Sequence, residues 1–164
     1  MNKKITFIIP AAGNSSRFGK SDKNFYKLDN KKTILENTID KIEKHSKQII
    51  IILNKSNYLP SKYLLSKKKY FKKIKFLKQS KLKGTAIAIR DALKTSKEKI
   101  FGVVWSDQIG LSKKTVKFSI DKFDQRKMHI IVPINYSKNC YTNVILNKNN
   151  NVKKIKNKSN SKKV

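Results

Sequence analysis

The sequence predicts an α/β fold in three layers, a mainly parallel sheet with helices on both faces. Two observations carry that expectation. Short apolar runs alternate with stretches of helical period along the chain. The runs are also apolar at nearly every position, as in strands buried on both faces. A third observation points to function. Three candidate segments, the loop after the first predicted strand, Gln79–Thr85 after the third and Asp107 after the fourth, follow carboxyl ends of strands, where ligands bind in open α/β sheets.

Ile5–Ile9, ended by Pro10, reads as the first buried strand. Residues 11–32 have no helical period and read as a long loop, the kind that is usually functional inside a compact domain. Thr33-Ile-Leu-Glu36 is a capping-box pattern, and Ile34, Leu35, Thr38, Ile39 and Ile42 then share one helical face. Gln48–Leu53 is too short and too β-branched for a helix and reads as a second strand. A lysine-rich helix is expected over Tyr58–Tyr70, and Ile74–Leu77 is a short third strand. Lys83–Thr95 reads as a helix opening at Gly84-Thr85, with Ile89, Ala92 and Leu93 inward. Ile100–Trp105 is a fourth strand, Ser112 caps a helix running to about Phe123, and Met128–Ile134 is a fifth strand. Two weaker strands, Val144–Leu146 and Val152–Ile155, flank a turn over Asn147–Asn151. Residues 1–155 are expected to form one domain and 156–164 a polar basic tail.

With 164 residues the chain is long enough for one real core. Its net charge of +30 raises nucleic-acid binding as an alternative, because clustered lysines attract phosphate backbones. Against it, only Arg17, Arg90 and Arg126 are arginines among 40 basic residues. Arginine is the better reader of phosphate and guanine edges, so the charge is read as a solvated lysine coat rather than a specific nucleic-acid surface. Cys140 is the single cysteine, which excludes an internal disulfide. No segment has the length of a membrane span, and a cytoplasmic protein is expected. His45 and His129 fit no ligand spacing, and no Ser/His/Asp or Cys/His constellation is present.

Three segments bear the chemistry. In Ala11-Ala-Gly-Asn-Ser-Ser-Arg-Phe-Gly-Lys-Ser-Asp-Lys23, small residues directly after a strand let a ligand approach the backbone. Arg17 and Lys23 add positive charge for triphosphate oxygens. The segment is not a P-loop. Five residues separate Gly13 from Gly19 where that loop needs four, and no helical face follows Lys20-Ser21. In Gln79-Ser-Lys-Leu-Lys-Gly-Thr85, an amide side chain offers both a donor and an acceptor, and a Gly-opened helix can donate N–H groups. Asp107, directly after the fourth strand, is a hard oxygen ligand suited to Mg²⁺.

The first segment, with Lys23 and the later Leu28-Asp-Asn-Lys-Lys-Thr-Ile-Leu35, resembles the opening of the nucleotide-diphospho-sugar transferase superfamily. That superfamily includes MobA-like enzymes and sugar-1-phosphate nucleotidyltransferases. The Gln79…Gly84-Thr85 stretch is similar to that of the N-acetylglucosamine-1-phosphate uridylyltransferases. The resemblance implies a Rossmann-like nucleotidyltransferase (GT-A-like) fold and a Mg²⁺-dependent transfer of a nucleoside monophosphate. UTP is favoured, CTP next, and the acceptor is a phosphorylated small molecule such as a sugar 1-phosphate. It implies that Arg17 and Lys23 act on the phosphates, that Ala11, Ala12, Gly13, Asn14, Ser15, Gln79, Gly84 and Thr85 bind the nucleotide, and that Asp107 holds the metal. Two departures stand out. Tyr141-Thr142 replaces a Tyr-Gly pair, and a second metal-binding residue would lie beyond Val164, so the C-terminal part is expected to be missing. A non-catalytic nucleotide-binding module is the alternative this leaves open.

Overall fold

The structure, a computed structural model, describes residues 3–15, 22–28, 31–79, 84–124, 126, 130 and 142–157. The chain divides into two compact units, Met1–Lys122 and Phe123–Val164. The first holds a four-stranded parallel sheet built from β1 (Ile5–Pro10), β4 (Ser46–Leu53), β5 (Ile74–Lys78) and β6 (Phe101–Val103). Their spatial order is β5-β4-β1-β6. A small antiparallel pair, β2 (Lys27–Leu28) and β3 (Lys32–Thr33), lies in the long segment after β1. A 3-10 turn over Lys23–Phe25 precedes it. The sequence reading made that whole segment loop, because elements of two or three residues are too short to show a period.

Every position of the central strands must find apolar company, since both faces are covered. Phe7, Ile9, Ile49, Ile51 and Leu53 pack with α1 (Ile34–Ile42), α2 (Tyr58–Ser66) and α4 (Lys113–Lys122) through Leu35, Ile39, Leu65, Val116 and Ile120. The alternate residues Ile8, Ile50 and Ile52 face α3 (Thr85–Leu93) through Ala88 and Ala92. This is the three-layer, mainly parallel architecture that the apolar runs imply. Burying these side chains is worth roughly 1.5–3 kcal/mol each, the main drive for the fold.

Local signals set the helix ends. Thr33 Oγ1 accepts from Glu36 N at 3.2 Å, and the Glu36 carboxylate accepts from Thr33 N at 2.8 Å, which completes the capping box of α1. Ser112 Oγ accepts from Thr115 N at 3.0 Å at the start of α4. Helix α2 ends at Ser66, short of Tyr70, and Lys67–Tyr70 continues as turns. On α3 the inward residues are Ala88 and Ala92, with Ile89 partly buried, while Leu93 is exposed. Small residues there let the helix lie close to the sheet. Gly102 is required by packing of another kind. A Cβ at this position would stand 2.4 Å from the Phe7 ring.

In the second unit, β7 (Thr142–Leu146) and β8 (Val152–Asn157) form an antiparallel hairpin. Asn147 Oδ1 closes its turn by accepting from Asn149 N and Asn151 N at 3.0 and 2.9 Å. Asn150 takes the left-handed conformation, φ +58°. The expected strand over Met128–Ile134 lies outside the described residues, apart from Ile130.

Candidate nucleotide and metal site

The ladder continues past the strand ends and lines up three exits on one edge of the sheet. Ala11 N donates to Ile52 O at 2.8 Å, Gln79 N to Leu53 O at 2.7 Å, and Val104 N to Ile8 O at 3.0 Å. From β1 the chain crosses to β4 and β5 on one side and returns to β6 on the other. The strand order therefore reverses between β1 and β6, the switch point where an open α/β sheet leaves a crevice.

There the structure brings together two residues 84 apart in sequence, with Lys23 Nζ 2.6 Å from Asp107 Oδ2. Their side chains are 30% and 43% exposed. An ion pair so wetted contributes only about 0–1 kcal/mol to stability, so its value as a strut is small. Its groups remain free to be recruited by a ligand.

Each partner is held by its own set of contacts. Asp107 rides on a turn in which Trp105 N donates to Gln108 Oε1 at 3.1 Å. Buried Thr38, on α1, donates its hydroxyl to Ser106 O at 2.8 Å, and Lys41 donates to Ile109 O. Lys23 opens the 3-10 turn, where its N–H donates to Ser15 Oγ at 3.2 Å and Asp22 caps the turn by accepting from Asn24 N at 2.9 Å. Ser15 sits at φ +51°, a conformation sparsely used by residues with a side chain.

Beneath this loop lies a group of buried amides that sequence reasoning missed. Asn57 Nδ2 donates to Ala11 O at 2.8 Å and to Asp22 Oδ2 at 2.7 Å. Asn54 Nδ2 donates to Ala12 O at 3.1 Å, and Asn24 Nδ2 to Asp22 Oδ1 at 2.8 Å. Asn24, Asn54 and Asn57 are all buried. The one signal for them is their place, since Asn54 and Asn57 directly follow the carboxyl end of β4, another exit onto the same edge.

The other predicted positions fall along that edge as follows. Gly13 and Asn14 are exposed, and a Cβ built on Gly13 meets nothing within 4 Å, so the loop has open space above it. Gly84 has φ +90°, which excludes other residues without strain, and it opens α3 before Thr85. Gln79 stands across β4 from Ala11 and shares no hydrogen bond with the Lys23–Asp107 pair. Its Nε2 is buried and has no hydrogen-bond partner among the described residues. Arg17 lies outside the described residues.

Fold and candidate site together define an open α/β domain of parallel strands with its topological switch point between β1 and β6. The sequence from residue 7 to 149 matches the MobA-like NTP transferase domain, and the chain belongs to that family. No curated protein matches the sequence. Among solved structures, it is similar to the 4-diphosphocytidyl-2C-methyl-D-erythritol synthase of Anaerococcus prevotii, with 20% identity and a TM-score of 0.66 over 96% of this chain and 66% of that one. The inositol-1-phosphate CTP transferase of T. maritima matches at 14% identity and a TM-score of 0.56, over 63% of this chain and 44% of that one. A Helicobacter pylori protein described as mannose-6-phosphate isomerase matches at 28% identity and a TM-score of 0.58, over 73% and 45%. The chain thus spans less than two thirds of the length of each of these proteins. Among the described residues no helix is long and apolar enough to cross a membrane, and no three His, Cys, Asp or Glu side chains cluster as a ready metal site.

Proposed function

We propose that this chain binds a pyrimidine nucleoside triphosphate and transfers its nucleoside monophosphate to a phosphorylated small molecule, releasing pyrophosphate. The observation that carries the reading is the Lys23–Asp107 pair, which joins a cation from the segment after β1 to a carboxylate from the turn after β6. The triphosphate would lie over Ala11–Ser15, with Lys23 turned to its oxygens and Arg17 added from the following segment. The base would reach Gln79 and the Gly84-Thr85 helix start, where Gln79 Nε2, without a partner among the described residues, can donate to a base carbonyl. UTP is the first candidate, on the similarity of that stretch to the N-acetylglucosamine-1-phosphate uridylyltransferases. CTP stands close behind, since two of the similar structures are named for cytidylyl chemistry.

Asp107 fits a Mg²⁺ ligand. It presents a half-exposed carboxylate whose charge is balanced by a displaceable ammonium, and Mg²⁺ takes one or two carboxylates with phosphate oxygens and water. The ion, when bound, would withdraw charge from the α-phosphate. An oxygen of the acceptor phosphate, already ionised, forms the new bond to the α-phosphorus as the α–β bridge breaks. The electron pair of that bridge leaves with pyrophosphate. Lys23 and Arg17 offset the charge growing on the leaving group, and the loop N–H groups keep the chain of phosphates in line. A sugar 1-phosphate is the favoured acceptor.

A thermal-shift panel tests this directly. UTP, CTP, GTP and ATP are compared with and without Mg²⁺, for the wild type and Asp107→Asn, at salt high enough to screen the lysine coat. A Mg²⁺-dependent shift confined to a pyrimidine nucleotide and lost in the variant is expected. Equal shifts from all four, indifferent to the variant, would mean that surface lysines are collecting anions, and the reading would fall.

A further inference from the structure

Asp22 is an anion placed next to a loop proposed to cradle phosphates, where an unshielded carboxylate would repel the ligand. Its surroundings show how that is avoided. Oδ1 accepts from Asn24 N at 2.9 Å, Asn24 Nδ2 at 2.8 Å and Ser15 Oγ at 3.3 Å, and Oδ2 accepts from Asn57 Nδ2 at 2.7 Å. Four donors spread its charge and turn it into the hub of the loop.

The second hydrogen of the Asn57 amide goes to Ala11 O at 2.8 Å, and the Asn57 Oδ1 accepts from Asn54 N at 2.9 Å. Asn57 is 1% exposed, so each of these bonds forms away from water and is costly to leave unmade. The peptide group is planar and trans. Anchoring Ala11 O on Asn57 and Ala12 O on Asn54 therefore aims the N–H groups of Ala12 and Gly13 away from those anchors. The same hub fixes where the chain re-enters at Asp22, one residue before Lys23, whose own N–H is tied to Ser15 Oγ.

We propose that Asp22 and Asn57 are positioning residues for the triphosphate, a clasp between two loops that sets both the backbone donors after β1 and the Lys23 ammonium. This rests on the reading that a nucleoside triphosphate binds over Ala11–Lys23, and it adds Asp22 within that loop and Asn57 from the β4 exit, neither of which touches the ligand itself.

Titration calorimetry with UTP and CTP in the presence of Mg²⁺ tests the clasp, with urea unfolding run on each variant to confirm that it folds. Asn57→Ala weakens binding about tenfold, the scale of one lost hydrogen bond to a charged group. Asp22→Asn, which keeps the side-chain volume but sets two NH₂ groups against each other, does the same and serves if Asn57→Ala does not fold. In a Lys23→Ala background the Asn57→Ala loss shrinks by about threefold or more, because one of the two groups that the clasp positions is already gone.

A folded Asn57→Ala or Asp22→Asn protein with wild-type affinity overturns the proposal. So does an equal loss in both Lys23 backgrounds. A wild type that binds neither nucleotide, or a Lys23→Ala variant that binds as well as wild type, instead removes the triphosphate reading and this inference with it.

Discussion

The two walls of the crevice are built differently. On the β1 side the chain leaves the sheet after Pro10, and among the described residues the next α-helix begins at Ile34. That excursion is pinned by side chains from another loop, Asn54 and Asn57, and by Asp22 and Asn24 reaching back within it. On the β6 side the chain runs only from Val103 to Lys113 before α4, and its turn is held by Gln108 and by Thr38 of the neighbouring helix. A long excursion has more conformational freedom to lose and needs more buried hydrogen bonds to hold one shape. A short turn inherits its position from the strand and needs only a tether. The cation of the site stands on the first wall and the carboxylate on the second.

The comparison is broken most severely at the charges themselves. Asp107→Asn and Lys23→Met are each expected to lower nucleotidyl transfer by about 10²-fold or more with little change in urea stability. Pyrophosphate release in steady state, beside an unfolding curve, checks both halves of that statement. A Lys23→Met protein with full activity would mean that the pair is a surface contact and no more.

The walls should differ next in stability. Asn57→Ala removes the shorter of the two side-chain hydrogen bonds to the buried Ala11 carbonyl and the bond to half-buried Asp22 Oδ2, and is expected to cost about 2–3 kcal/mol. Thr38→Val removes a single buried bond to Ser106 O and is expected to cost about 1 kcal/mol. Equal losses in urea unfolding would erase the distinction between a clasped loop and a tethered turn.

The smallest effect sharpens the β6 side. Glu36, in the first turn of the helix that carries Thr38, is pushed up by burial but pulled down further by Lys68 and by the N–H and hydroxyl of Thr33. Its pKa ends below the ordinary 4.5. A carboxyl depressed in the folded state adds stability above its unfolded pKa and loses it as the pH falls through the folded value. Glu36→Gln should thus be less stable than wild type at pH 7, by about 1 kcal/mol, and the gap should close below pH 4.5. A gap unchanged down to pH 3 would show that the carboxylate's charge is not what holds the cap.

Much of this molecule is legible without coordinates. The isoleucine-rich runs demand two covered faces, and Thr33 with Glu36 marks a helix start through contacts three residues apart. The Gly84-Thr85 pair marks the opening of α3, which begins at Thr85. These are local requirements, met by neighbours in the chain. The amide clasp was not legible, because asparagine is common throughout this lysine- and asparagine-rich sequence, and nothing local separates a buried Asn57 from a solvated Asn. Leu93 was misplaced for a related reason. The period allows it on either border of the apolar stripe of α3, and the close packing of Ala88 and Ala92 decides the rotation of the helix.

By itself, then, the sequence determined the four strands of the central sheet, the helix starts at Thr33 and Ser112, and which residues have a chemistry suited to phosphate and metal. Strand order β5-β4-β1-β6, and with it the crevice between β1 and β6, was decided only by tertiary structure. So was the meeting of Lys23 with Asp107 and of Asp22 with Asn57. Apolar burial is non-directional and tells a strand only that it must be covered. Which strands become neighbours, and which polar side chains then come within 3 Å of each other, depends on register and crossover across the whole sheet.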